Sequence, residues 1–325
     1  MKKLGKSHKI SYFHNQKKGN SFQHRRIGTA IPIRGMTTIF SVLFLLPYLI
    51  TFFFGNLKNG ETQEWVSFTQ DGYYISRDTF AGTERIPMES YVAMQVMSFT
   101  DDTWESEAVK AFAVAVRTGI LREIKQQTEK GIGELKVDDI YKNILVSSRC
   151  RTLVKETEGV YMTWQGEPIH AAYFVLSNGK TRNANEAFSG EEGDMPYLCS
   201  VPCERDFVSE EYSFQTTLTT ADWETLWSNA DSDQMPVLHK DSAGYVTNVS
   251  YGDKVMNGEA FREACKLPSA SFDLFKDTNG DYLITGRGAG HGLGMSLFGA
   301  NEMAKTGEDY ISILHYFYQD VELTK

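Results

Sequence analysis

The stretch GRGAGHGLGMS, residues 286–296, sets five glycines at alternate positions around a single histidine, His291. Strand, glycine turn and helix is the layout that cradles phosphates, and Gly286 and Gly288 open a G-x-G-x-x-G match. The third glycine of that pattern would fall at position 291, which is His291, and no Walker-type lysine follows. A nucleotide site is therefore set aside. Two readings remain. Either the glycines let this backbone pack closely against the rest of the protein, or they bring Gly288, Gly290 and Gly292 against a ligand whose oxygens meet exposed N–H groups. In the second reading His291 aims its imidazole into the same space.

Working outward from the loop, Tyr282 to Thr285 reads as a strand leading in, and Ser296 to Lys305 as a helix leading out, stopped by Gly307. Ser296 fits a helix N-cap better than a hydrolytic nucleophile, because no G-x-S-x-G elbow surrounds it. Far upstream, Glu64 to Phe80 alternates apolar and polar residues, with Asp71-Gly72 suited to the turn of a hairpin. Pro87 then opens a helix with Glu89 in its first turn. Asp102 and Glu105 suggest a capping box ahead of an alanine-rich helix that carries Lys110 and Arg117. Strands return at Gly159 to Trp164 and Ile169 to Leu176, joined across QGEP, and Ser177-Asn178-Gly179 marks a turn. This order of elements fits an α+β domain, not a regular βαβ alternation.

The charge is segregated. Residues 1–35 carry nine Lys or Arg and no Asp or Glu, whereas the whole chain of 325 residues has a net charge of −9. The 20 residues from Met36 to Gly55 carry no charge and are long enough to cross roughly 30 Å of hydrocarbon as a helix. They read as a membrane span with the basic tail inside and everything after it outside. A cleaved signal peptide fits less well, since no small-x-small site follows. The expected organisation is a basic cytoplasmic tail (1–35), a transmembrane anchor (36–55), a linker and hairpin (56–85) and an extracytoplasmic domain (86–325). Of the four cysteines, Cys199 and Cys203 stand in CSVPC, a spacing that leaves a disulfide, a metal half-site or two buried thiols open.

Three blocks of the sequence resemble the SpoIID/LytB domain family. The glycine stretch is similar to the family's G-R-G-W-G-H-G-V-G-M-S-Q-x-G-A through Gly286, Arg287, Gly288, Gly290, His291, Gly292, Gly294, Met295, Ser296, Gly299 and Ala300. Met88 to Thr118 resembles its L-E-x-Y-V block through Glu89, Tyr91, Val92, Trp104, Glu107, Lys110 and Arg117, and Ser177 to Thr181 resembles its S-G-G-R/K-T. The resemblance implies a grooved domain behind one membrane anchor, a lytic transglycosylase cutting peptide-stripped peptidoglycan strands, and no cofactor, metal or nucleic acid. It also implies a wall amidase of the SpoIIP kind and a membrane protein of the SpoIIM kind as partners. In such chemistry the substrate's own C6 hydroxyl attacks, so one glutamate can protonate the leaving oxygen and then accept the hydroxyl proton.

The departures concern that glutamate. The family's acid stands five residues before the tryptophan, and five before Trp104 is Phe99. Phe174, Val175 and Leu176 replace the polar residues that usually follow Tyr173, and Ala289 replaces the loop tryptophan. Substitute acids would be Asp101, which also suits a cap, or Glu89, which also suits a helix start. Ser177, Gly179, Lys180, Arg287, Tyr173 and His291 are the expected substrate contacts, with Arg287 and Lys180 facing either glycan carboxylates or acids of this chain. Two functions follow: a SpoIID-type scaffold that binds glycan or a wall-lytic partner with catalysis lost or altered, or an active transglycosylase with a relocated carboxylate.

Overall fold

A computed structural model describes residues 73–79, 82–128, 134–137, 144–188, 194–227 and 234–325. The basic tail, the span at 36–55, the linker and the Asp71-Gly72 turn all lie outside them. Among the described residues no helix is long and apolar enough to cross a membrane.

The fold is α+β, with small sheets and eight helices among the described residues. The first half holds β1 (Tyr74–Thr79), β2 (Gly82–Pro87), α1 (Met88–Phe99), α2 (Ser106–Thr128), β3 (Glu134–Lys136), α3 (Ser148–Glu156), β4 (Tyr161–Trp164), β5 (Glu167–Pro168), β6 (Tyr173–Phe174) and α4 (Ala184–Ala187). The second half holds β7 (Ser213–Leu218), α5 (Thr220–Leu226), β8 (Val237–Lys240), β9 (Val246–Tyr251), β10 (Lys254–Asn257), α6 (Gly258–Ala264), β11 (Phe272–Lys276), β12 (Tyr282–Arg287), β13 (Met295–Ser296), α7 (Leu297–Lys305), α8 (Tyr310–Phe317) and β14 (Glu322–Thr324).

β1 pairs forward with β2, Ile75 opposite Ile86, while the turn expected at Asp71-Gly72 lies outside the described residues. β3 adds in parallel to the other edge of β1. Pro87 caps α1 with φ −58°, the value its ring imposes. The expected capping box of α2 does not form. Asp102 accepts instead from Ser147 Oγ (2.5 Å), and the helix starts at Ser106. The strand expected over Ile169 to Leu176 is also interrupted. The Ala172 carbonyl accepts from Met295 N (3.0 Å) and Tyr318 Oη (2.7 Å), so this backbone serves the glycine loop and the end of α8 instead of one continuous ladder. Helix α3 buries Cys150, Leu153 and Val154, spaced i, i+3 and i+4 on one face, and is capped by Ser147.

Two main cores result. The larger is organised on α2, which packs against α1, α3, α7, α8 and strands β3, β4 and β5. Ala108, Ala111 and Ala115 form a buried stripe that lets neighbouring elements approach closely. The smaller core lies between positions 223 and 284 and is aromatic, with Trp223 stacked on Tyr282 at 3.9 Å and Phe261 on Phe272 at 5.2 Å.

One ion pair ties the larger core together. Arg117, fully buried on α2, donates to both carboxylate oxygens of buried Glu89 on α1 (2.5 and 2.7 Å). Its remaining donors reach the carbonyls of Val160 (2.9 Å) and Val154 (3.4 Å), so one guanidinium also joins α2 to α3 and to the approach to β4. A buried charge left without its partner costs about 3–5 kcal/mol. Glu89→Gln should therefore destabilise the chain on that scale in chemical denaturation, and a change below about 1 kcal/mol would show that the pair is not holding the helices.

Candidate functional site

The glycine loop lies against residues 172–182. Leu176 and Ala289 exchange backbone hydrogen bonds at 3.0 and 2.7 Å, and β13 runs parallel to β6 with Met295 beside Tyr173. Gly288, Gly290, Gly292 and Gly294 all take φ between +72° and +108°. A Cβ at these four positions would stand 2.6 Å from the Leu176 carbonyl oxygen, 2.7 Å from Phe174 Cβ, 2.4 Å from the Tyr245 ring and 2.0 Å from the Ala172 carbonyl oxygen. The bareness of the loop thus meets this chain's own backbone and rings.

His291 is correspondingly held within the loop. Its Nδ1 accepts from Leu293 N (3.1 Å), the ring is hydrogen-bonded to the Tyr173 backbone, and it packs against Phe174 at 5.7 Å. Burial lowers its pKa, partly opposed by the Glu259 carboxylate, so the imidazole is neutral at pH 7.

Two buried acids fix the Ser177–Lys180 turn, and neither had a sequence signal. Asp206 Oδ2 accepts from Ser177 N (2.7 Å) and from Ser296 Oγ (2.8 Å), while Ser296 caps α7 by accepting from Gly299 N. The Asp206 side chain is fully buried, its Oδ1 has no hydrogen-bond partner among the described residues, and burial raises its pKa. Asp241 accepts from Arg182 Nε (2.6 Å), and Arg182 also binds the carbonyls of Gly292, through its backbone N, and His291, through Nη1. Asn178 donates to the Ala243 carbonyl and to Ser271 Oγ, which fixes this turn against residues 243 and 271. Gly179, at φ +115°, sits under the exposed ring of Phe207, which packs on Tyr212 at 5.1 Å.

The two expected cations part company. The Lys180 amine binds the Ser242 carbonyl, whereas exposed Arg287 has no carboxylate partner among the described residues. At the other end, Phe99 is the last residue of α1 and is 41% exposed. Its ring meets Phe112 (5.9 Å) and Tyr173 (5.8 Å) edge to face, and Tyr173 Oη accepts from Gln95 Nε2 (2.9 Å). Tyr173 therefore connects Phe99 to His291. The expected substitute acids do not join them. Glu89 is taken by Arg117, and Asp101 is exposed, bonded to Thr103 N and Oγ1, with its carboxyl held below the usual range.

The four cysteines are unpaired. Burial pushes the Cys150 and Cys203 thiols up to about 12, which keeps them protonated. Among the described residues no group of three or more His, Cys, Asp or Glu could hold a metal ion.

The chain is an α+β domain with two main cores, and its glycine loop packs against residues 172–182. Residues 76–164 match the Stage II sporulation protein (SpoIID) family. The chain is 31% identical over 273 residues to stage II sporulation protein D of Bacillus subtilis, covering 77% of this chain and 78% of that one. It is 28% identical over 278 residues to the protein of the same name from Bacillus amyloliquefaciens, with the same coverage. It is also 25% identical over 282 residues to the amidase enhancer of Bacillus subtilis, covering 68% of this chain and 38% of that one. The chain belongs to the SpoIID family.

Two predictions test this site. Gly294→Ala should cost more stability than Gly307→Ala, by about 1–3 kcal/mol. Both glycines have positive φ, but only Gly294 has backbone in the path of a Cβ. Equal losses in parallel denaturation would show that conformation alone demands glycine. For Asp206, a raised folded-state pKa means that the folded chain holds the proton more tightly than the unfolded one. Its contribution is present below the unfolded value of about 4 and is lost as pH rises through the folded value. Melting curves should show wild type gaining stability relative to Asp206→Asn as pH falls from 7 toward 4; curves that stay parallel would contradict the assignment.

Proposed function

We propose that this chain is a sporulation protein of the cell wall that holds peptidoglycan glycan strands without cutting them. The family and the names of its relatives support the setting. One observation carries the loss of catalysis: the position of the family's acid is Phe99, and among the described residues neither Asp101, Asp102 nor Glu89 is fitted to replace it. A general acid for this reaction needs a raised pKa. Asp101 is shifted the opposite way by the hydrogen bonds of Thr103, and Glu89 is locked in a buried ion pair. Asp102 accepts from Ser147 Oγ.

The charge-free segment 36–55 behind nine basic residues favours a single-pass anchor with the domain outside the cytoplasmic membrane. There the glycine loop and its neighbours would face the glycan, with Arg287 available for a carboxylate and His291 keeping the loop in shape. A relative named amidase enhancer supports a wall amidase as the partner, and a membrane protein of the SpoIIM kind completes the expected assembly.

The test is to incubate the full-length chain with peptide-stripped glycan and to analyse both fractions by mass spectrometry. Co-sedimentation without 1,6-anhydro ends is the expected result, and Phe99→Glu should introduce some cleavage. Turnover by wild type that Asp101→Asn abolishes would overturn this reading in favour of a relocated acid.

A further inference from the structure

The aromatic side chain at position 99 does more than fill the place of an acid. A phenylalanine at the end of a helix lowers its free energy by turning inward, yet Phe99 remains 41% exposed. Its position is fixed. The buried ring of Phe112 and the half-buried ring of Tyr173 both hold it edge to face, and those two rings lie 4.7 Å apart. Gln95, one helical turn before Phe99, donates to Tyr173 Oη and so anchors the phenol against α1. Val175, two residues beyond Tyr173, is similarly exposed at 42%. This edge is continuous with the glycine loop, because β6 pairs with β13 at Tyr173 and the His291 ring is hydrogen-bonded to the Tyr173 backbone.

We propose that Phe99 and Tyr173 form a carbohydrate-stacking subsite that seats the C–H face of one pyranose ring of a glycan strand where the family places its acid. The inference rests on the glycan-holding function proposed above and names the contact that performs it. A pyranose presents an apolar face of axial hydrogens with hydroxyls around its rim. A rigid aromatic wall beside a few polar groups is matched to that shape, and preorganised rings lose little conformational entropy on binding. Phe99 thus favours holding the strand at a position that no longer carries the family's acid.

The experiment measures the affinity of the full-length chain for a peptide-stripped glycan oligomer by calorimetry, with thermal melting of each variant to establish folding. Phe99→Ala and Phe99→Leu should each weaken binding about tenfold, because neither side chain offers a ring, whereas Phe99→Trp should stay within about threefold of wild type. Loss in the leucine variant with retention in the tryptophan variant supports the subsite. Unchanged affinity in folded Phe99→Ala and Phe99→Leu overturns it, as it would if the exposed ring instead met a protein partner. Absence of binding by wild type itself is a different outcome, and it refutes the glycan-holding function rather than the place of Phe99 in it.

Discussion

The structure depends on two backbone segments coming closer than side chains would allow. Residues 286–294 run against 172–177 at hydrogen-bonding distance, with Leu176 and Ala289 bonded in both directions. At Gly294 even a methyl group would overlap the Ala172 carbonyl. Alternate positive-φ glycines are the means by which an L-amino-acid chain can follow this path. From this approach follow the placement of β13 beside β6 and the N-cap of α7 at Ser296 over Asp206.

Buried charge holds this approach and the larger core in place. Arg182 joins the loop carbonyls to Asp241, Asp206 joins the Ser177 turn to α7, and Arg117 joins three elements through Glu89 and two carbonyls. Charges of this kind stabilise through geometry, because each removed partner strands another group out of water. A rigid frame around one exposed aromatic edge suits recognition. The frame is what the family signature encodes, and the chemistry at Phe99 can change without disturbing it.

Much of this was legible in the sequence. The α+β order, α1 behind Pro87, the alanine face of α2, β12 and the Ser296 cap could all be read from periodicity and capping residues. Arg117 stands out in the sequence as a charge on that alanine face, and Glu89 is the partner it finds. The glycine spacing pointed to close approach, but composition cannot say whether the neighbour is ligand or protein; Phe174, Tyr245 and the Ala172 carbonyl supply that answer only in three dimensions. Asp206 and Asp241 escaped for a similar reason. Their partners lie 29 to 90 residues away in the chain, and no local pattern marks a carboxylate that long-range folding will bury. The expected strand at Ile169 to Leu176 failed because its apolar run answers to the glycine loop and α8 rather than to a ladder.

The central claim is that the place of the family's acid now holds a glycan instead of cleaving it. The most direct measurement is a crystal structure of the chain after prolonged incubation with a peptide-stripped glycan oligomer. An intact glycosidic linkage passing Phe99, with one sugar ring stacked on it beside Tyr173, is the predicted result. A 1,6-anhydro sugar at that position, with a carboxylate in reach of the broken bond, would contradict the account.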